Sequence, residues 1–471
     1  MLNLMWFRSD LRTYDNPALT AAMSSGVTIA IYCLTEQQWD KHHISVAKRA
    51  LVTSQLKSLE QQLAKLRVPF IVLNCGTFAN CPDRIVEFCQ QHSINQIFCN
   101  LEYELNEQNC LKAVFSRTQQ HGVNLFAYHD QCAIAPGEIL NQSGQMYKVF
   151  SAFKRAYFSA FNFHARPLHN LPEPQGDLPT SSDLSALDSI EVDTTALDDW
   201  PAGEDEAHQR LNLFLESQVY SYHEDRDYPA LDATSGLSAY LAVGIISTRQ
   251  CLQAALSLNE GMLGEGNQGV VSWINELIWR DFYRHLINAE PRLCKHQAFQ
   301  QETERLPWSK NQSDFQRWCE GRTGIPIIDA AMRQLNQTGW MHNLLRMVCA
   351  MFLTKDLFID WRWGEQFFME KLIDGDFASN NGGWQWSAST GVDAAPYFRI
   401  FNPYRQSERF DPKGSFIRKY VPELAEISGK AIHCPPEKIL QVIQYPSVMV
   451  DHKTATAEVK NRFKQLKPES A

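Results

Sequence analysis

Over residues 1–130, short apolar runs alternate with amphipathic stretches. Leu2–Phe7, Val27–Leu34, Phe70–Cys75, Ile94–Asn100 and Val123–Tyr128 read as buried strands. Between them the apolar spacing becomes helical, near Pro17–Ser25, Val46–Leu66, Cys81–His92 and Asn106–Gln120. Five βα alternations predict an open, parallel, five-stranded α/β domain with helices on both faces of the sheet. WFRSDLR stands where a dinucleotide-binding domain would place its glycine-rich turn, which argues against an ordinary dinucleotide site. The alternation breaks over residues 131–205, where Pro136, Pro167, Pro172, Pro174, Pro179 and Pro201 punctuate a long connector. Within it, Met146–Phe163 has helical spacing. Residues 206–471 are strand-poor and periodic, as expected of an all-helical domain. The expected fold is therefore α/β plus all-α.

Gly264-Glu265-Gly266-Asn267-Gln268-Gly269 fits G-x-G-x-x-G, but the pattern before it, Ser247–Leu258, is helical rather than a strand. It reads as a flexible loop between helices.

Composition narrows the class. Hydrophobic residues make up 44% and charged residues 21%, the balance of a globular protein. No apolar run approaches the roughly 18 residues of a membrane span. The start, MLNLMWFRSD, is too charged for a secretory leader. Twelve scattered cysteines contain no C-x-x-C pair, which gives a zinc or iron–sulfur site little support and suits free thiols in a reducing cytoplasm. The net charge of −9 is uneven. Between Glu173 and Glu206 lie eleven acidic residues and no Lys or Arg; the remainder holds 44 basic and 42 acidic residues, so a basic face for nucleic acid is permitted.

The chemistry concentrates late in the chain. Nine of the twelve tryptophans lie between Trp273 and Trp386, a density that suits a planar ligand, stacked bases or electron transfer as well as a core. On a helix, Trp273, Glu276 and Arg280 would share a face, with Trp279 beside it. Trp340, Asn343 and Met347 would line another, with Arg346 adjacent. Asp374-Gly375-Asp376, Asn380 and Asn381, Gly382 and Gly383, and Trp384 and Trp386 read as a polar loop between aromatic walls. Upstream, Thr234-Ser235-Gly236-Leu237-Ser238 clusters hydroxyls and backbone N–H groups, as a phosphate cradle requires.

In order along the chain, WFRSDLR, TSGLS, ELIWRDFYRHL, TGIPIIDAAMRQLNQTGWMHN, DGDFASNNGGWQWSASTG and PYFRIFNP resemble the photolyase/cryptochrome family. The resemblance is strongest to bacterial folate-type (class I) cyclobutane pyrimidine dimer photolyases. It implies three parts: an antenna-binding domain over 1–130, a connector over 131–205 and a helical FAD-binding catalytic domain over 206–471. It also implies a light-dependent lyase. Reduced FAD would donate an electron to a cyclobutane dimer flipped out of DNA, and the electron would return once the ring splits.

By the same resemblance, Tyr222, Thr234, Ser235, Gly236, Leu237 and Ser238 would hold the FAD phosphates and ribityl chain. Trp273, Asn343, Arg346, Asp374, Gly375, Asp376 and Asn380 would surround its rings. Asn380 falls at flavin N5, where an amide suits the reduced cofactor and an Asp or Cys would suit a light sensor. Trp384, Trp361 and Trp308 would relay electrons inward from the surface. Arg226, Glu276, Trp279, Arg280, Asn343, Met347 and Trp386 would meet DNA and the lesion. His42, Asn106, Glu107, Cys294 and Lys295 would hold a 5,10-methenyltetrahydrofolate antenna.

The sequence departs from the family at Leu344, where an arginine usually follows the asparagine. A phosphate contact is expected to be missing there, with Lys154, Arg155, Arg399 and Arg405 as substitutes. The resemblance implies a monomer whose partner is dimer-containing DNA. A cryptochrome-type blue-light receptor is the alternative; an end at Ala471, soon after the shared core, argues against the long tail of such a receptor. A plain flavoprotein oxidoreductase would need a nicotinamide site, for which no fingerprint stands in a suitable context.

Overall fold

The structure is a computed structural model and describes residues 2–161, 167–190 and 195–466. It divides into two compact units that interleave along the chain. The first comprises residues 1–220, 235–294 and 373–378; the second comprises 221–234, 295–372 and 379–471.

The first unit is built on a parallel sheet of β1 (Leu2–Phe7), β2 (Val27–Leu34), β3 (Phe70–Asn74), β4 (Gln96–Asn100) and β5 (Asn124–Tyr128), in the order β3-β2-β1-β4-β5. β1 and β2 are apolar throughout except Asn3 and Thr28, because parallel strands covered on both faces have no polar side to present. In register, Leu4 faces Ile29 on one side and Ile97 on the other. The strand order reverses between β1 and β4, and the carboxyl ends there open the crevice where such sheets bind ligands. The connector pairs with the β3 edge: Asp183 N–H donates to Phe70 and its carbonyl accepts from Val72. Gln175 caps the same side through Thr28 and Arg67. The expected connector helix is Phe150–Ala160; residues 162–163 at its predicted end lie outside the described residues.

The glycine motif lies between the helices Thr248–Leu258 and Gln268–Ala289, as its context predicted, but it is not a loose loop. Asn259 binds Met262, Glu265 and Asn267 across it. Gly269 already belongs to the second helix, where an added Cβ would lie 2.1 Å from the Val219 carbonyl oxygen.

The second unit is helical. Its core gathers Trp318, Ile328, Met332, Leu345, Phe352, Trp361, Phe368, Trp384 and Phe416 into one apolar cluster. Among the described residues, no helix is long and apolar enough to cross a membrane.

Candidate functional site

In the second unit, Asn380 and Trp384 stand on the helix Phe377–Ala388, one turn apart and so on one face. This corrects the loop expected over 374–386: only Asp374-Gly375-Asp376 is irregular, and Gly382 and Gly383 are helical. The glycines are tolerated because neighbours hold the helix. Asn380 Nδ2 donates to the Glu365 carbonyl at 2.9 Å and Asn381 Nδ2 to the Glu365 carboxylate at 2.7 Å. Gln385 Nε2 donates to Asn381 Oδ1 at 2.9 Å, and His296 Nδ1 reaches Glu365 at 2.9 Å. That last bond raises the His296 pKa, because the carboxylate favours the imidazolium. With one N–H held by the Glu365 carbonyl, Asn380 still has its oxygen to offer as an acceptor. A Cβ at Gly383 would meet nothing within 4 Å, so that side of the helix leaves room for a flat group.

Trp384 is almost fully buried, packed edge-on against Phe368 (4.9 Å) and Trp318 (6.0 Å). Gly364 seats it, since a Cβ there would lie 2.1 Å from the indole. Trp361 is completely buried in the same cluster, and Trp308 packs against that cluster half-buried, with Phe358 at 4.7 Å. The three indoles thus share one apolar cluster and run from buried to half-exposed.

Trp340 lies outside the helix it was expected to share with Asn343, which starts at Asn343 and ends at Met351. His342 is extended (φ −55°, ψ 138°) and caps that helix. Asn343 and Met347 are still one turn apart on one face; Asn343 is exposed and Met347 half-buried. Arg346 donates to the Met341 carbonyl at 2.8 Å. The His342 ring is buried, and desolvation, reinforced by the Arg346 charge, pulls its pKa to about 4. Tyr222 is buried under the Arg226 guanidinium, 5.2 Å from its ring.

Leu344 is the position where a phosphate contact was expected to be missing. It is 5% exposed and belongs to the apolar core, so residue 344 faces inward rather than toward a phosphate. Leu344→Arg is therefore expected to destabilise the protein by about 2–3 kcal/mol, because the guanidinium must be buried or must displace its neighbours to reach water. Calorimetry should show a lowered Tm, and the salt dependence of DNA binding should keep its slope. A steeper slope at unchanged Tm would put the side chain on the DNA face. Arg155, Arg399 and Arg405 are exposed, whereas Lys154 is half-buried with its ammonium 5.9 Å from the Phe158 ring.

In the first unit, Trp273, Glu276, Trp279 and Arg280 lie on the helix Gln268–Ala289. Trp273 is buried against Phe214 (5.1 Å), and Glu276 is half-buried. Trp279 stacks on Phe150 with centroids 3.6 Å apart and planes 8° apart, which fixes the indole plane. Arg280 is engaged within the unit, donating to the Gln131 and Leu241 carbonyls and the Thr248 hydroxyl. Asp376 pairs with the buried Arg284, and Lys48 Nζ donates to the Gly375 carbonyl at 2.6 Å. Phe150, Arg284, Lys48 and Glu365 were all missed in the sequence. Burial lowers the Lys48 pKa, opposed by the nearby Asp376. Ser235 is half-buried and Ser238 exposed; Gly236 has φ +56°, and an added Cβ would lie 2.9 Å from Arg210 Nη1. In the second unit, Thr234 is half-buried.

Four of the antenna candidates, His42, Asn106, Glu107 and Cys294, gather in the first unit beside the β1/β4 crevice. Arg8, just after β1, pairs with Glu102 at 2.6 Å and donates to the Glu107 carbonyl at 3.0 Å. His42 Nε2 lies 2.9 Å from Asn106 Nδ2 and 2.8 Å from Gln38 Nε2. Two amide donors on Nε2 leave the proton on Nδ1, which points to Glu107 at 3.4 Å. Burial, then Glu104 and Glu102, raise the Glu107 pKa well above the usual range. Cys294 hydrogen-bonds the Leu105 backbone, and burial pushes its thiol up to about 12. Lys295 follows it, exposed.

An open α/β sheet, and a helical unit whose apolar cluster holds Trp361 and Trp384 with Trp308 packed against it, define the class. Residues 3–175 match the DNA photolyase profile, and residues 273–465 match the FAD binding domain of DNA photolyase. A deoxyribodipyrimidine photo-lyase from Vibrio cholerae is 44% identical over 460 residues, covering 96% of this chain and 97% of that one. A bacterial class III photolyase from Agrobacterium tumefaciens superposes with a TM-score of 0.84 at 31% identity, covering 98% and 97%. A cryptochrome from Synechocystis also superposes with a TM-score of 0.84, at 26% identity over 98% and 99%. The chain belongs to the DNA photolyase family.

Proposed function

We propose that this chain binds FAD and uses blue light to split cyclobutane pyrimidine dimers in DNA, as a deoxyribodipyrimidine photolyase. One observation carries the reading: Asn380 and Trp384 share a helix face, with Trp361 and Trp308 in the cluster that holds Trp384. The residues present fit the cofactor, because Asn380, held by its bond to Glu365, still has its oxygen to offer and the Gly383 side leaves space. Tyr222, Thr234, Ser235, Gly236, Leu237, Ser238, Trp273, Arg346, Asp374, Gly375 and Asp376 are assigned to its phosphates, ribityl chain and rings. When bound and reduced, FAD supplies the photoexcited electron and receives it back.

The remaining work falls to side chains. Asn380 accepts from the N5 position and so favours the reduced form. Trp279, held flat by Phe150, and Trp386 are assigned as stacking partners for the flipped dimer, each stacked base contributing about 1–3 kcal/mol. Glu276 and Asn343 read its polar edges, Met347 packs beside it, and Arg226 offers a cation to the DNA. His42, Asn106, Glu107, Cys294 and Lys295 are assigned to a methenyltetrahydrofolate antenna; the convergence of the first four beside the crevice between β1 and β4 supports it. Residues 1–130, 131–205 and 206–471 are assigned as antenna domain, connector and catalytic domain, and the free thiols fit a cytoplasmic setting.

The pocket also selects its lesion. Reversal of a (6-4) product needs a proton donor, and the Asn343 amide and Met347 thioether supply none. His342 stays neutral because its pKa is about 4. Offered both lesions under blue light, the reduced protein is expected to reverse the cyclobutane dimer and leave the (6-4) product intact. Efficient reversal of the (6-4) product would overturn the pocket assignment, and reversal of neither would overturn the function.

A further inference from the structure

At the carboxyl end of the sheet, four cysteines that take no part in the proposed reaction converge. Cys33 is the penultimate residue of β2, Cys75 follows β3 directly, and Cys81 opens the helix Cys81–Gln91. Their sulfur atoms all lie within 4.8 Å of one another. Among the described residues this is the one group of three or more His, Cys, Asp or Glu side chains close enough to share a metal ion. Cys110, on the helix Leu105–Gln120, hydrogen-bonds Cys81 and brings a fourth sulfur to the group.

Backbone contacts hold the group in place. Cys75 N–H donates to the Leu34 carbonyl at 2.8 Å, and its own carbonyl accepts from Asn80 Nδ2 at 2.7 Å. The thiols of Cys81 and Cys110 point toward the Thr77 and Phe78 carbonyls, at 3.6 and 3.7 Å. All four residues are buried, with Ile71, Ile85, Phe88 and Val114 in the same core.

Buried cysteines often serve as small apolar fillers. Filling explains one thiol at a time. It does not explain sulfurs from three or four separate segments meeting at a sheet edge that binds ligands in this architecture. Soft thiolates select d10 ions, and three sulfurs in this range need only contract to metal–sulfur bonds of about 2.3 Å. Cys81 at a helix N-terminus adds a favourable dipole for a thiolate. A divalent ion leaves less net charge on a thiolate set than a monovalent one, which suits apolar walls.

We propose that Cys33, Cys75 and Cys81, with Cys110 available as a fourth ligand, form a structural zinc(II) site at the carboxyl edge of the sheet. Each zinc–sulfur bond replaces a sulfur–hydrogen bond and sends one proton to solvent; no electron moves. None of its cysteines is among the residues assigned to FAD or to the relay. The site neighbours the antenna group through Phe78, whose ring lies edge-on to His42 at 5.7 Å.

The test uses the full FAD-loaded chain, reduced and stripped with a chelator, then given zinc(II) and desalted. One equivalent of zinc should remain per chain, and X-ray absorption should show three or four sulfur neighbours at about 2.3 Å. Cys33→Ser and Cys81→Ala should each reduce retention at least about tenfold, whereas Cys251→Ser, at a lone buried thiol elsewhere in the same unit, should not. Flavin content of each variant reports its fold. If a variant fails to fold, the wild-type sulfur count still decides. Less than a tenth of an equivalent retained by the wild type, a nitrogen- or oxygen-dominated shell, or full retention in the folded cysteine variants would overturn the site.

Discussion

Trp308→Phe is expected to abolish light-driven reduction of oxidised flavin while leaving repair by chemically reduced protein intact. Phenylalanine preserves most of the packing against Phe358 but is far harder to oxidise than indole. Trp308 is the half-exposed member of the relay, whereas Trp361 and Trp384 are buried, so an external donor reaches the chain through Trp308. Loss of that relay should slow photoreduction by orders of magnitude, read as persistence of oxidised-flavin absorbance under illumination with a thiol donor. The repair cycle begins with reduced flavin and does not use the relay. Normal photoreduction in the Trp308→Phe protein would remove Trp308 from it; loss of repair by the prereduced variant would show that the substitution damaged more than the relay.

The second large effect concerns Asp376 and its partner. Arg284 pairs with Asp376, and their side chains are 3% and 13% exposed. Removing one member strands the other charge in a poorly solvated place, which costs about 3–5 kcal/mol. Arg284→Met should therefore lower stability by that amount and cut FAD retention on gel filtration, because the 374–376 segment loses its anchor. Arg284→Lys keeps the charge but not the forked geometry and should recover part of both. A variant as stable as the parent, with full flavin content, would show that the pair anchors nothing.

The relay role of Trp308 was legible through the family motifs, whereas the Arg284–Asp376 pair was not. Buried parallel strands are continuous apolar runs, so Leu2–Phe7 and Val27–Leu34 were legible to the residue. The helix Phe377–Ala388 was not legible, because its Asn and Gly residues have weak helical propensity and tertiary bonds to Glu365 override it. Trp340 fits the helical spacing i, i+3, i+7 only by coincidence, since His342 is extended and breaks the periodicity. Leu344 read as a missing cation because motif comparison carries no burial; the core around it was invisible.

Arg284, Lys48 and Phe150 sit in ordinary amphipathic patterns, and their partners are 92, 327 and 129 positions away in sequence. The thiol group was hidden in the same way. Its members come from two strand ends and two helices, so no short cysteine spacing announced it. The family motifs, by contrast, were legible because cofactor and lesion contacts fall in contiguous runs such as DGDFASNNGGWQW.

Light-driven dimer splitting should proceed with no net redox change. It is tested most directly by illuminating the reduced, FAD-loaded protein, without added reductant, on an oligonucleotide carrying one cyclobutane thymine dimer, while following dimer absorbance and flavin oxidation state together. Many dimers should be split per flavin in the light and none in the dark, with the flavin still reduced at the end. No splitting in the light, or one flavin oxidised for each dimer split, would contradict this mechanism.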